Sequence, residues 1–233
     1  MKPTVLYLSP HRDDIAYSLS GRILAGTDPV VSGIAMTVFT KSTFAPYAEP
    51  GLDMEAITSL RRMEEERFCR ALNLECAGLD FSEAPLRGYK TVDDLFVSHS
   101  QSWNDPIIPS LLSEFKALYD RLAPERVYAP LGIAGHVDHL ATRFAAQMAF
   151  ENACPLLFYE DLPYVGELAG EALQSELALA TPGMRPEMTP AGDWFPEKVR
   201  LLRGYASQVA EKDVQSVISY TNSIGGERAW IRR

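Results

Sequence analysis

Short apolar runs alternate along the chain with longer stretches of helical period, and this alternation frames everything else. Thr4–Leu8 is β-branched and apolar, the pattern of a buried strand. A polar turn, Ser9-Pro10-His11-Arg12-Asp13-Asp14, leads into a predicted helix over Ile15–Ala25. A second strand is predicted at Val30–Phe39, a Thr-, Pro- and Gly-rich loop over Thr40–Asp53, and a charged helix over Glu55–Asn73. A short strand follows near Gly78–Phe81. Ser82–Asp105 shows no usable period. Beyond it the pattern predicts a helix at Ile107–Leu122, a strand at Arg126–Ala129, a Gly-containing turn at Leu131–His136 and a helix running to about Glu151. Pro155–Tyr159 reads as another strand. Gly166–Asp193 carries too little period for assignment, and Glu197–Tyr220 reads as one or two helices.

Strands alternating with helices imply βαβ units. The expected fold is therefore α/β, a Rossmann-like arrangement with a mainly parallel sheet flanked by helices, and residues 1–233 are read as one domain. In such sheets ligands bind beyond the carboxyl ends of the strands, where strand order reverses. Two turns rich in chemistry occupy that kind of position. One carries His11, Asp13 and Asp14 after the first strand; the other carries His136, Asp138 and His139 after the strand ending near Ala129.

Bulk composition narrows the partners. The 233 residues are 46% hydrophobic and 23% charged, as in soluble globular proteins. A net charge of -9 disfavours nucleic acid and anionic membrane as partners. No apolar run is long enough for a signal peptide or a membrane span. Three cysteines without a CxxC pair (Cys69, Cys76 and Cys154) fit small buried side chains in a reducing cytoplasm rather than a disulfide framework or a thiolate metal site. The composition is compatible with a homo-oligomer.

Three of the four histidines lie in the two turns. His11 and Asp14, three residues apart at a strand-to-helix turn, can face one point, and His139, one turn into the next helix, can supply a third ligand. Three protein ligands with an open position is the usual catalytic zinc arrangement, and imidazole with carboxylate also suits Fe(II). Asp13, His136 and Asp138 then remain for acid–base work. A carboxylate can take a proton from a water acidified by the metal, an imidazolium can steady an oxyanion, and an aspartate two residues away can orient that imidazole. His11-Arg12-Asp13-Asp14 resembles the His-Pro-Asp-Asp motif of the PIG-L/LmbE-like metal-dependent deacetylases, and His136-Val137-Asp138-His139 resembles their His-x-Asp-His motif. Arg61-Arg62-Met63-Glu64, Phe158–Tyr164 and Lys198 with Tyr205-Ala206-Ser207-Gln208 are similar to further family segments in the same order.

The resemblance implies hydrolysis of a small-molecule N-acyl substrate, mostly N-acetyl groups on amino sugars. It also implies His11, Asp14 and His139 as metal ligands, Asp13 as general base, and His136 as oxyanion stabiliser with Asp138 as its partner. Arg61 is expected either to make helical salt bridges or to reach into the substrate cleft. Glu160 and Asp161, directly after a strand, are expected to face the site, and Glu160 is taken as a substrate contact. His99 is expected in a surface or capping role, and Tyr205 in the core. Ile15 stands where the family often has Glu, which bears on the usual sugar specificity. Two other readings of the same residues are an amidase acting on a thiol conjugate or secondary metabolite, and a non-catalytic metal- or ligand-binding protein. The first turn has no Gly-x-Gly-x-x-Gly, so a dinucleotide cofactor is not expected.

Overall fold

A computed structural model of the chain describes residues 4–28, 32–97 and 105–232. His99 and the predicted strand start at Val30 lie outside the described residues. Among the described residues seven strands, numbered along the chain, form one sheet in the order β3-β2-β1-β4-β5-β7-β6. Its first five members are β1 (Thr4–Ser9), β2 (Ser32–Lys41), β3 (Glu75–Ser82), β4 (Arg126–Pro130) and β5 (Leu156–Tyr159). All the pairings among these five are parallel. β6 (Met184–Pro190) and β7 (Gly226–Arg232) complete the sheet by antiparallel pairing, β7 against β5 and β6 against β7. The mainly parallel α/β expectation holds, and the antiparallel edge is added to it.

The central strands are buried on both faces, as parallel sheets covered by helices require. Val5, Leu6, Tyr7 and Leu8 of β1 and Val127, Tyr128 and Ala129 of β4 all belong to the core. The long helices lie close to their predicted spans: α3 at Met54–Ala71, α5 at Ile108–Leu122 and α6 at Val137–Phe150. The unassigned stretch Ser82–Asp105 holds a 3-10 turn at Ala84–Arg87 and the short helix α4, Val92–Leu95. Four further helices follow β5: α7 (Tyr164–Glu167), α8 (Gly170–Ala180), α9 (Phe195–Leu202) and α10 (Glu211–Ile224).

The helix predicted at Ile15–Ala25 is broken at Leu19 into α1 (Asp14–Ser18) and α2 (Ser20–Leu24). Side chains from the far end of the chain replace the missing turn of backbone bonding. The buried Lys198 ammonium donates to the Tyr17 carbonyl at 2.5 Å. Glu227 accepts the Gly21 and Arg22 N–H groups at 2.9 and 2.6 Å, and Lys198 pairs with the same carboxylate. The Ser20 hydroxyl also bonds back to the Ala16 carbonyl, a habit that bends helices.

β1 leads to β2 on one side of it, and the chain returns on the other side to form β4. The reversal of strand order therefore falls between β1 and β4, where the two histidine-bearing turns emerge side by side. No helix among the described residues is long and apolar enough to cross a membrane.

Candidate active site

The first turn is fixed by its own polar groups. The Ser9 hydroxyl donates to the His11 carbonyl, Phe39 N donates to the Pro10 carbonyl at 3.0 Å, and the His11 amide donates to Asp14 Oδ2 at 2.7 Å. Arg12, standing where the family usually has Pro, pairs with Glu65, which is itself held by the Thr37 hydroxyl. The second turn needs glycine. Gly135 has φ +77°, and a Cβ there would lie 1.9 Å from the Val97 carbonyl oxygen. Val97 N in turn donates to the Gly135 carbonyl at 2.9 Å, which draws the neighbouring Phe96 against His136.

These turns bring the expected ligands together. Asp14 sits between two imidazoles, with Oδ2 3.5 Å from His11 Nδ1 and Oδ1 3.4 Å from His139 Nε2. His139 Nε2 is buried and has no hydrogen-bond partner. The opposite nitrogen of each ring is occupied by a carboxylate. His11 Nε2 lies 3.0 Å from Asp138 Oδ2, and His139 Nδ1 lies 2.7 Å from Asp161 Oδ1. Asp161 is anchored by the Ile133 amide at 2.9 Å. A carboxylate behind each imidazole is the usual outer support of a metal-binding histidine, because it fixes the tautomer and turns a lone pair inward. The orphaned Nε2 and the paired donor set therefore fit a divalent cation.

His136 is close by but differently supported. One ring nitrogen from each of His11, His136 and His139 lies within 4.8 Å of the others. No carboxylate among the described residues backs His136, whose Nδ1 accepts the Asp138 backbone N–H at 3.2 Å. Asp138, expected as the partner of His136, contacts that ring through its main chain and not through its carboxylate. The Asp138 carboxylate serves His11, the Ala84 amide at 3.0 Å and Arg87 Nη1 at 2.6 Å.

The electrostatics follow from burial and these partners. Burial works to lower the His11 pKa, but the hydrogen bond with Asp138 and the charge of Asp14 outweigh it and push the group up to about 9. Burial raises Asp14, against the opposing charges of His139 and His11. Burial also acts to raise Asp138, yet the His11 hydrogen bond and the charges of His11 and Arg87 hold it below the ordinary carboxylate range. His136 is driven well below the usual imidazole value by burial first and the charge of His11 second. Its ring stands edge-on to Phe96 at 5.2 Å and stacks with Tyr164 at 6.3 Å. A neutral His136 with Nδ1 accepting carries its proton on Nε2.

A cavity of about 410 Å³ opens over this cluster, lined by His11, Asp13, Asp14, His136 and Asp138 at its base. Asp13 is half-buried, and no described side chain hydrogen-bonds its carboxylate. Arg61 lines the same cavity. It is buried and donates to Glu83 at 2.6 Å, to the Phe44 carbonyl at 3.2 Å and to Ser42. Its ion partner Glu83 lies off its own helix, so the helical pairing expected as one alternative is made instead by the exposed neighbour Arg62, with Glu66, while Arg61 itself lines the cavity.

Glu160 is a correction. Its carboxylate points away from the cavity and accepts from Tyr220, Arg228 and Trp230 at 2.6, 2.6 and 2.8 Å. Successive residues leaving a strand point to opposite sides, so Asp161 reaches His139 and Glu160 turns towards β7. Ile15 is a second correction, since it packs in the core, 2% exposed, and does not line the cavity. Tyr205 is buried in the core, as expected. Arg87 and Glu83 were not singled out from the sequence, because Ser82–Asp105 has no period from which to read which side chains turn inward.

Known proteins align with this picture. The model of the PIG-L family, described as GlcNAc-PI de-N-acetylase, matches residues 6–150. The 2'-N-acetylparomamine deacetylase of Streptomyces fradiae is 33% identical over 229 residues, covering 97% of this chain and 80% of that protein. Among solved structures, the zinc-inhibited form of a teicoplanin deacetylase superposes with a TM-score of 0.72 at 21% identity, over 98% of this chain and 97% of the other. The N,N'-diacetylchitobiose deacetylase of Pyrococcus horikoshii superposes at 0.60 and 18% identity, over 98% of this chain and 82% of the other. The two structural likenesses speak for the fold. The chain belongs to the PIG-L family of N-deacetylases.

Proposed function

We propose that this protein is a metal-dependent hydrolase that removes an N-acetyl group from an amino sugar within a larger small molecule, releasing acetate and a free amine. The observation that carries the reading is the buried, unpartnered Nε2 of His139 facing Asp14, with His11 completing a three-sided donor set. His11, Asp14 and His139 would hold the cation, through His11 Nδ1, the Asp14 carboxylate and His139 Nε2. Zinc is the metal assigned, and Fe(II) is the alternative that this ligand set also accepts. A divalent cation bound there supplies a Lewis acid and a water of lowered pKa.

The remaining chemistry belongs to the chain. Asp13, uncommitted to other side chains, takes the proton of the attacking water. His136 Nε2–H donates to the acetyl oxygen as negative charge develops on it. Asp13 then delivers its proton to the departing nitrogen, so one carboxylate serves as base and then acid. Asp138 acts behind this pair, holding the His11 ring and lending its own backbone N–H to His136. The Streptomyces fradiae relative supports an amino-sugar substrate. Three free cysteines accord with a reducing cytoplasm.

The test is acetate release from N-acetylglucosamine, 2'-N-acetylparomamine and simple N-acetyl amines by protein stripped with chelator and reloaded with Zn(II) or Fe(II). Turnover of the sugars by reloaded protein and none by stripped protein is expected. Stoichiometric metal uptake without turnover of any N-acyl compound would instead favour a binding protein.

A further inference from the structure

The mouth of the cavity carries groups that the hydrolysis of an acetamide does not use. Phe44 and Tyr47, in the segment between β2 and α3, line it while remaining 57% and 52% exposed. Neither ring meets another aromatic ring among the described residues. Their backbone is nonetheless pinned. Phe44 N donates to the Ser42 hydroxyl at 2.9 Å, the Phe44 carbonyl accepts from Arg61, and Tyr47 N donates to the Ser207 carbonyl at 3.2 Å. Two large apolar faces are therefore held in water at the entrance, at a hydrophobic cost that no ring contact among the described residues offsets.

The rest of the rim is acidic on balance. Glu167 and Asp213 line it, with Lys212 as the opposing charge, and Arg61 deeper in is neutralised by Glu83. Glu167 is exposed and makes no hydrogen bond or ion pair among the described residues, whereas Asp213 is partly committed to capping Ala210 N. Aromatic faces beside carboxylates are the usual way to hold a ring that is apolar on its faces and bears an ammonium group at its edge.

We infer that Phe44, Tyr47 and Glu167 form a second-ring subsite, which selects substrates whose acetamido sugar is joined to a further ring bearing a free ammonium group. This rests on the deacetylase reading given above and adds the part of the substrate that stays outside the reaction. The first ring sits over Asp13 and His136. The second lies against Phe44 and Tyr47, with its ammonium near Glu167. An anionic extension such as a phosphate is disfavoured by the same charges.

Three probes separate ring from charge: N-acetylglucosamine, N,N'-diacetylchitobiose with two neutral rings, and 2'-N-acetylparomamine, whose free amines all lie on the second ring. Phe44→Ala and Tyr47→Ala should each lower kcat/KM about fivefold to tenfold for both two-ring probes, through KM, and leave N-acetylglucosamine unchanged. Glu167→Gln should lower kcat/KM only for 2'-N-acetylparomamine, by about threefold to tenfold, and the loss should shrink with added salt. Equal effects on all three probes, or none, would overturn the inference. So would a change of oligomeric state in Phe44→Ala with selectivity intact, which would make the aromatic pair a contact between copies. A binding arm keeps this separate from the hydrolase reading. Paromamine, which has no acetyl group, should bind wild-type protein and lose affinity in all three variants even if no acetamide is turned over; equal affinity throughout refutes the subsite.

Discussion

Asp161→Asn is the substitution whose consequence follows most directly from the geometry. The Asp161 carboxylate is fully buried and divided between two donors, His139 Nδ1–H at 2.7 Å and the Ile133 amide at 2.9 Å. Asparagine keeps the shape but has one acceptor oxygen. The Ile133 amide cannot change its character, so it claims that oxygen and leaves the NH₂ facing His139. His139 Nδ1 must then accept, its proton moves to Nε2, and the lone pair meant for the cation is lost. Outer-support changes of this kind cost about 10–100-fold in metal affinity, or about 1.4–2.7 kcal/mol. Fold stability should change little, because the Ile133 bond survives. Asp161→Ala also strips that amide of its partner and adds a stability loss of about 1–3 kcal/mol. Competition of zinc against a chromophoric chelator measures the affinity, and thermal unfolding measures the stability. An Asp161→Asn protein that binds zinc within twofold of wild type would refute the tautomer argument and His139 Nε2 as a ligand atom.

His136→Ala should retain metal at wild-type stoichiometry while acetate release falls about 100-fold or more, since no carboxylate among the described residues supports this ring as a ligand; loss of metal would move His136 into the ligand set. Metal uptake should release protons. With His11 raised to about 9 in the metal-free protein by Asp138 and Asp14 against the effect of burial, zinc must displace its proton below that pH. The logarithm of affinity should therefore climb with a slope of about one near pH 7, easing to about one half near pH 9, and a flat profile in a calorimetric titration series would contradict this. Glu160→Gln should lower stability by about 1–3 kcal/mol through its bonds to Tyr220, Arg228 and Trp230, with KM unchanged in steady-state assays. A raised KM at unchanged stability would restore Glu160 to the substrate.

What could be read from the sequence was set by how local the determinants are. His11, Asp13, Asp14, His136, Asp138 and His139 stand in, or at the helix starts just after, two turns that follow largely buried strands, and both the apolar runs and the residue spacing are visible within short windows. The partners of those residues come from elsewhere. Asp161 and Glu160 differ only in which side of β5's exit they leave from, and four strand residues are too few to fix that parity once the strand ends. Arg87 and Glu83 come from a segment without period, placed by ion pairs to Asp138 and Arg61 rather than by local propensity. The break at Leu19 depends on Lys198 and Glu227, more than 170 residues away, which no window over Ile15–Ala25 contains. β6 and β7 escaped for a related reason. Met184–Pro190 contains two prolines and is mostly exposed, as an edge strand allows, and β7 gains its place by pairing with β5 and β6.

The central claim is that a metal site built from His11, Asp14 and His139 becomes a hydrolase through Asp13, a neighbour that binds no metal. Asp13→Ala, purified and reloaded with zinc, tests it in one preparation by metal analysis and acetate release. The expected result is one metal per chain with turnover of the N-acetyl sugar reduced at least about 100-fold. Wild-type turnover in that protein, or loss of its metal, would contradict the division between ligands and base.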